Sequence, residues 1–156
     1  MNKVLVNAEE INLPSWSESA VNFAMKVLNK INRDNWELSI LLCTDRKIKE
    51  LNSQYRNKDE TTDILSFSLN ETIQKGDTTV YLPGDIVISL ETLKENAEYF
   101  QISLDEELRR LIIHGILHLD GMDHQTLSPD EPMLILQEKI LERLKNEHII
   151  PLGEEN

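Results

Sequence analysis

The β-strands of this chain are predicted by stretches in which hydrophobic positions alternate with polar ones or run together. The apolar run WELSILLC, for example, favours a largely buried strand. Four segments have such a pattern, at residues 3–7, 36–43, 62–69 and 85–89. The stretch between the last two is polar, and its residues predict a turn at Gly76-Asp77 and a short extended piece at 79–82.

Hydrophobic positions three and four residues apart predict five helices. The first covers 15–33, where Ser15 and Glu18 have the spacing of a capping box. Ser103 and Glu106 have the same spacing at the start of a longer helix, 104–120. The other predicted helices are a short one after Thr44 or Asp45, one at about 90–100, and a final one that opens at Ser128, Pro129 and Glu131.

This mixed order of strands and helices predicts an α+β fold, in which helices cover a small mixed β-sheet. A chain of 156 residues is long enough to form one hydrophobic core. The sequence has no internal repeat, no low-complexity tract and no linker-like segment. We therefore expect residues 1–156 to form a single domain.

The lack of a long hydrophobic segment and the single cysteine favour a cytoplasmic protein. The N-terminal sequence lacks the apolar segment of a signal peptide, and no apolar run approaches the roughly 20 residues that span a membrane. Cys43 is the single cysteine, which excludes an intramolecular disulfide framework. We expect a chain that works in the reducing cytoplasm and does not bind membranes.

The charge balance argues against a general affinity for polyanions. The chain has 16 lysines and arginines against 28 acidic residues, a formal net charge of −12. Any contact with nucleic acid must therefore be local. The candidate segment is RKIKELNSQYRNK (46–58), which contains five basic residues and one acidic residue.

Three of the four histidines form the pattern H-x-x-x-H-x-x-x-x-x-H, at His114, His118 and His124. His114 and His118 are four residues apart on a predicted helix, so both imidazoles leave the same face. Gly121 suits the left-handed position that ends a helix, and the short loop after it can return His124 to the same point. The pattern predicts one divalent metal ion per chain, held by three imidazoles.

The ligand set favours Zn²⁺ at a catalytic site. Three protein ligands that leave a fourth position open are typical of catalytic zinc, whereas structural zinc is normally closed by four residues. Other divalent transition metals, such as nickel, iron or copper, also accept imidazole. Cys43 is a poor fourth ligand because it lies in an apolar strand. Asp120 and Asp123 flank the ligands, either as acceptors for imidazole N–H groups or as caps of the helix end.

The same histidine spacing occurs in metzincin peptidases, H-E-x-x-H-x-x-G-x-x-H, but Gly115 replaces the glutamate that serves them as general base. The histidine segment resembles instead the signature H-G-x-L-H-L-x-G-x-D-H of YbeY-type endoribonucleases. Two upstream segments, at 51–68 and 84–89, are similar to the motifs L-N-x-x-Y-R-x-K-D-x-P-T-D-V-L-S-F-P and G-D-I-x-I-S of that family. The chain departs from the family pattern at Thr61, Ser68, Pro83 and Met122, positions that affect loop geometry and not the histidines.

This resemblance implies a metal-dependent, single-strand-specific endoribonuclease with its zinc on a zincin-like helix. It further implies a role in maturation of the 16S ribosomal RNA 3′ end and in ribosome quality control, with ribosomal RNA and small-subunit proteins as partners. By motif position, Arg56 is the arginine that such proteins place on the RNA phosphate. The oligomeric state is not predicted.

The chemistry at the site leaves alternatives open. The nucleophile is either a water activated by the metal or the substrate's own 2′-hydroxyl, and Asp85 or Asp123 could serve as base. Arg56 either offers a bidentate fork to phosphoryl oxygens or pairs with Asp59, Glu60 or Asp63 to fix a loop. The rival functions are a zinc metallopeptidase with a relocated base and a non-catalytic ribosome-assembly factor that the metal stabilises.

Overall fold

A computed structural model describes residues 1–151 and Gly153. Its strands are β1 (Lys3–Ala8), β2 (Glu37–Cys43), β3 (Ile64–Lys75) and β4 (Thr78–Ser89). They form one mixed sheet in the order β1-β2-β4-β3. β1, β2 and β4 are parallel, while β3 is antiparallel to β4 and lies at the edge. The prediction of an α+β fold with a small mixed sheet is thus confirmed.

The helices are α1 (Ser17–Lys30), α2 (Asp45–Arg56), α3 (Leu90–Phe100), α4 (Leu104–Leu119) and α5 (Pro132–Arg143). The main core joins one face of the sheet to α1, α3, α4 and α5, and its largest fully buried side chains include Phe23, Ile40, Ile86 and Ile112. α2 covers part of the opposite face, where Ile48 packs in a smaller cluster. α4 lies at the centre of the helical layer and has 11 buried residues. None of the described helices is long and apolar enough to cross a membrane.

The hairpin of β3 and β4 corrects the predicted strand lengths. The segments 62–69 and 85–89 are only its base, because both strands continue through the polar stretch to the predicted turn at Gly76-Asp77. β3 is exposed from Ser68 onward and shows no hydrophobic pattern, whereas the predicted extended piece at 79–82 lies in β4 and buries Val80. Backbone hydrogen bonds between the two strands replace side-chain burial as the organising force there.

Two helix starts also differ from the prediction. α1 begins at Ser17 with Trp16 as its N-cap, and not at the predicted Ser15. The N–H of Ser17 instead bonds the carbonyl of Pro14, in a turn that delays the helix. α5 begins at Pro132, after the residues predicted to open it. Ser103 does cap α4, accepting a hydrogen bond from the N–H of Glu106.

Candidate metal centre

The last two turns of α4 place His114 and His118 on one face, as their spacing predicts. Their Nε2 atoms are 3.0 Å apart, and their ring centroids are 4.5 Å apart. α4 is fixed by burial on nearly all sides, so these imidazoles project from a rigid element.

A Schellman motif then reverses the chain towards His124. The N–H of Gly121 bonds the carbonyl of His118, and the N–H of Met122 bonds the carbonyl of Leu117, both at 3.0 Å. Gly121 has φ +93°, a value that side chains with a Cβ rarely adopt. The ring of His124 consequently lies 5.3 Å from His114 and 5.5 Å from His118, measured between centroids. One ring nitrogen from each histidine lies within 4.8 Å of the other two.

The Nδ1 atom of each histidine faces a carbonyl-type oxygen. His114 contacts Gln137 Oε1 at 2.6 Å, His118 contacts the Met122 carbonyl at 3.0 Å, and His124 contacts the Thr126 carbonyl at 2.9 Å. Such oxygens only accept hydrogen bonds, so each Nδ1 carries the proton and each Nε2 presents a lone pair. The Gln137 amide is oriented by its own Nε2, which donates to Glu138 Oε2 at 3.0 Å.

The electrostatics of the site favour the neutral imidazoles that a metal requires. Burial lowers the pKa of His114 below its ordinary value, although the hydrogen bond to Gln137 opposes this shift. Burial also lowers the pKa of His118, and the neighbouring His114 lowers it further. Two unprotonated nitrogens 3.0 Å apart repel each other unless a cation lies between them. The donor set therefore fits a divalent metal, whose identity it leaves open among those that accept imidazole.

Cys43 is remote from this donor set, as the sequence suggested. Its side chain is fully buried in the smaller core cluster between the sheet and α2. Burial raises the pKa of the thiol to about 11, which keeps it protonated. A metal ion bound by the three histidines would therefore have a fourth coordination position that Cys43 does not occupy.

Arg56, the last residue of α2, lines the same cleft as His114 and His118. The cleft has a volume of about 380 Å³ and is lined by Arg56, His114, His118 and Asp123, among others. Arg56 Nη2 donates to the carbonyl of Ser66 at 2.5 Å, and its Cζ lies 5.5 Å from the ring centroid of Phe67. Both contacts are to the edge strand β3, whose residue Ser66 also lines this cleft.

Two of the three alternative partners of Arg56 have contacts with other residues. Asp63 accepts a hydrogen bond from Asn96, and Asp59 lies 4.0 Å from Lys49. Within the described residues, Arg56 forms no ion pair with a carboxylate. The guanidinium is held by a carbonyl and an aromatic ring, which leave its positive charge uncompensated.

The three other aspartates considered for the site accept hydrogen bonds from groups other than an imidazole. Asp120 pairs with Arg33, and Asp123 Oδ1 accepts a hydrogen bond from the backbone N–H of His124. Neither receives an imidazole N–H among the hydrogen bonds of the described residues. Asp85 accepts a hydrogen bond from Ser39 and lines other depressions, so it is excluded as a base in the histidine cleft.

Gln137 is the residue of the site that sequence reasoning missed. It is only 7% exposed and lies on the face of α5 that also buries Met133 and Ile140. A polar side chain among the inward positions of an amphipathic helix needs a buried partner. That signal was present in the sequence, but it did not identify His114 as the partner.

Comparison with known proteins agrees with these observations. A family model described as Endoribonuclease YbeY matches residues 3–145. The Endoribonuclease YbeY of Treponema denticola is 49% identical over 129 residues, covering 82% of this chain and 83% of that protein. That of Sulfurihydrogenibium sp. is 39% identical over 144 residues, covering 92% and 93%.

The fold has a counterpart among solved structures. A solution structure of a protein from Thermotoga maritima superposes with a TM-score of 0.65 at 28% sequence identity, covering 92% of this chain and 90% of that one. The resemblance first indicated by the histidine signature is confirmed by sequence similarity along most of the chain. The chain belongs to the endoribonuclease YbeY family.

Proposed function

We propose that this chain is a metal-dependent endoribonuclease that cleaves single-stranded RNA in the histidine cleft. One observation carries the proposal: one ring nitrogen from each of three histidines lies within 4.8 Å of the other two, and two of these histidines line a cleft together with Arg56, which has no carboxylate partner among the described residues. His114, His118 and His124 are the metal ligands we assign, with Zn²⁺ as the metal. This arrangement suits a phosphodiester, which carries negative charge at the reacting centre.

The roles of the individual groups follow from their positions. A divalent metal at the histidines would act as a Lewis acid on a phosphoryl oxygen and lower the pKa of a bound hydroxyl group. Arg56 would bind the other phosphoryl oxygens through the N–H groups that Ser66 does not occupy. The carboxylate on the cleft wall is Asp123, whose Oδ1 is held by the N–H of His124. Its Oδ2 is the atom we assign to accept the proton of the attacking hydroxyl.

The biological setting is part of the same proposal. Family membership supports ribosomal RNA as substrate, at the 16S 3′ end, with ribosomal small-subunit proteins as partners. A cytoplasmic location agrees with a buried, unpaired cysteine. We assign the whole activity to one domain over residues 1–156, because the main core joins both ends of the described chain.

The test compares RNA cleavage by the metal-loaded protein with cleavage by two variants. His118→Ala should lose most of its metal and its activity, as measured by elemental analysis and a gel assay on single-stranded RNA. Arg56→Ala should keep its metal and its melting temperature but lose roughly ten- to a thousand-fold in cleavage, the range for one transition-state donor. Arg56→Lys should recover only part of the rate, because lysine lacks the planar fork.

The same samples distinguish the rival functions. Cleavage of unfolded casein that requires His118 would indicate a peptidase. A metal-loaded protein that cleaves neither substrate would indicate an assembly factor. An Arg56→Ala protein that is folded, metal-loaded and fully active on RNA would contradict the role of Arg56.

A further inference from the structure

A second cleft, of about 440 Å³, adjoins the histidine cleft, and both are lined by Ser68, His118 and Gly121. Its volume falls within the roughly 300–1,000 Å³ of small-molecule sites. The mechanism proposed above uses none of the residues that are particular to this cleft. These residues are Arg33, Trp36, Asn70, Tyr81, Leu119 and Asp120.

A β-bulge orients Asn70 in this second cleft. The pairing of β3 with β4 shifts between Ser68 and Glu71, opposite Pro83, which has no N–H to donate to the ladder. Asn70 lies in the bulge with φ +55°, a left-handed conformation. Its Oδ1 accepts a hydrogen bond from the Tyr81 hydroxyl at 2.6 Å, which leaves the two amide N–H donors for another partner. Bulges next to active sites commonly re-aim a side chain in this way.

The floor of the second cleft is aromatic. The rings of Trp36 and Tyr81 pack with centroids 5.1 Å apart, and Trp36 is only 7% exposed, so the platform is rigid. The guanidinium of Arg33 lies over Trp36, with Cζ 6.0 Å from the ring centroid. The partly exposed ring of Tyr81 and the guanidinium plane of Arg33, which the buried Trp36 supports, offer flat surfaces on which a planar heterocycle stacks.

The charged groups of the second cleft, Arg33 and Asp120, neutralise each other. Arg33 Nε and Nη2 donate to the two carboxylate oxygens of Asp120 at 2.7 and 3.2 Å. The pair uses two of the five N–H donors of the guanidinium, and each carboxylate oxygen can accept another hydrogen bond. The cleft therefore offers donors and acceptors without net charge. This chemistry suits the hydrogen-bonding edge of a neutral base and not a phosphate.

The net charge of the chain makes such a site useful. At −12, the protein gains little from general attraction to the RNA backbone. Contacts to bases are much less sensitive to this repulsion, and stacking on aromatic rings is tolerant of sequence. A protein of this charge thus depends on base contacts for more of its affinity than a basic protein does.

We propose that the second cleft binds one nucleobase of single-stranded RNA, adjacent to the phosphate held in the histidine cleft. The identity of the ligand as RNA rests on the function proposed above, whereas the location and chemistry of the site rest on Asn70, Tyr81 and the Arg33–Asp120 pair. A base that enters this cleft has left its helical stack. The site therefore gives a physical reason for preferring single strands over duplexes.

The test measures binding of two fluorescent probes to the metal-loaded protein by anisotropy. One probe is a short single-stranded 2′-O-methyl RNA, and the other is an abasic oligonucleotide of the same length and charge. Asn70→Gly keeps the left-handed backbone accessible and removes the amide. Tyr81→Leu removes the aromatic surface. Matched controls are Gln101→Gly, also a left-handed position, and Tyr99→Leu, both at the C-terminal end of α3 and away from the two clefts.

We expect wild-type protein to bind the intact probe more tightly than the abasic one, and to bind a duplex of the same sequence more weakly. Asn70→Gly should weaken binding of the intact probe roughly three- to tenfold, the effect of one or two hydrogen bonds. Tyr81→Leu should weaken it roughly five- to a hundredfold. Neither variant should change binding of the abasic probe, and neither control should change either affinity.

Equal wild-type affinity for the intact and abasic probes would overturn the base site, as would folded variants that bind the intact probe like wild type. A variant that weakens both probes equally would also overturn it. Cleavage is followed separately on unmodified RNA. A protein that shows the expected binding pattern but cuts no RNA would contradict the nuclease assignment and still support the base site.

Discussion

Replacing Gln137 with leucine should weaken metal binding although Gln137 is not a ligand. Gln137 Oε1 accepts the Nδ1 proton of His114 at 2.6 Å and so fixes the tautomer that presents Nε2. The amide is itself held by Glu138, whose carboxylate receives two hydrogen bonds from Arg110, at 3.0 and 3.1 Å. A chain of contacts therefore runs from α5 to the first candidate ligand. Leucine has a similar size but cannot accept a hydrogen bond.

The expected loss of metal affinity follows from the hydrogen bond to His114 that the substitution removes. Loss of a hydrogen-bond partner behind a metal-bound imidazole typically costs 10–100-fold in metal affinity. This corresponds to about 1.4–2.7 kcal/mol of binding free energy. The same amount is lost from the stabilisation that saturating metal gives to the folded state. In the metal-free protein, a buried N–H of His114 without an acceptor costs about 1–3 kcal/mol.

The assay is competition for Zn²⁺ between the purified protein and a coloured chelator of known affinity, with melting temperatures recorded in parallel. Gln137→Glu keeps an acceptor for His114 and should retain more metal affinity than Gln137→Leu. Lys139→Leu, an exposed substitution on the same helix, is the control and should change nothing. A Gln137→Leu protein with wild-type affinity for Zn²⁺ would refute the reasoning, since it would show that packing alone orients His114.

Two further predictions concern the ends of α4. Gly121→Ala places a Cβ in open space but keeps φ +93°, so the strain of a left-handed residue should lower the free energy of unfolding by about 1 kcal/mol. Urea denaturation measures this loss, and an unchanged midpoint would show that the turn relaxes freely. At the other end, burial opposes ionisation of Asp105, but the backbone N–H groups of residues 149 and 150, together with His148 and the charge of Arg109, hold its pKa below the ordinary value. A carboxyl group with a lowered pKa stabilises the folded state at pH values above its ordinary pKa of 3.8, and this stabilisation is lost as the pH falls below that value. Asp105→Asn should therefore make the free energy of unfolding less dependent on pH in the acid range. If the free energy of unfolding of that variant falls with acid pH as it does in the wild type, other groups are responsible for the dependence.

The parts of the site that were predictable from sequence are those encoded locally. His114, His118 and Gly121 lie within eight residues, and helix periodicity with a glycine stop determines their arrangement. The β3 half of the hairpin arm was not predictable in the same way, because its residues are exposed from Ser68 onward and carry no burial pattern. Its formation depends on the turn at Gly76 and on inter-strand hydrogen bonds, whose register a single sequence does not contain.

The long-range contacts depended on the folded chain. Arg56 was identified by motif similarity, and its place in the same cleft as the histidines depends on the contact between the end of α2 and β3 in the folded chain. The partner of Gln137 required the packing of α5 on α4, a contact across 23 residues of sequence. The three Nδ1 acceptors include two backbone carbonyls, which have no sequence signature. A ligand set can therefore be predicted more readily than the groups that orient it.

Gly115 shows why a peptidase-type base is absent from this site. A Cβ built at Gly115 would lie 2.9 Å from Ile86 Cδ1 and 3.0 Å from Ile64 Cδ1. The position after the first histidine therefore faces the sheet at the closest approach of α4, and a glutamate there would be buried against two isoleucines and not directed at the metal. The cleft that His114 and His118 line also contains the cationic Arg56. With glycine in place of the peptidase glutamate and an arginine in the same cleft, the site suits an anionic phosphodiester, so the histidine spacing of a peptidase can serve RNA cleavage here.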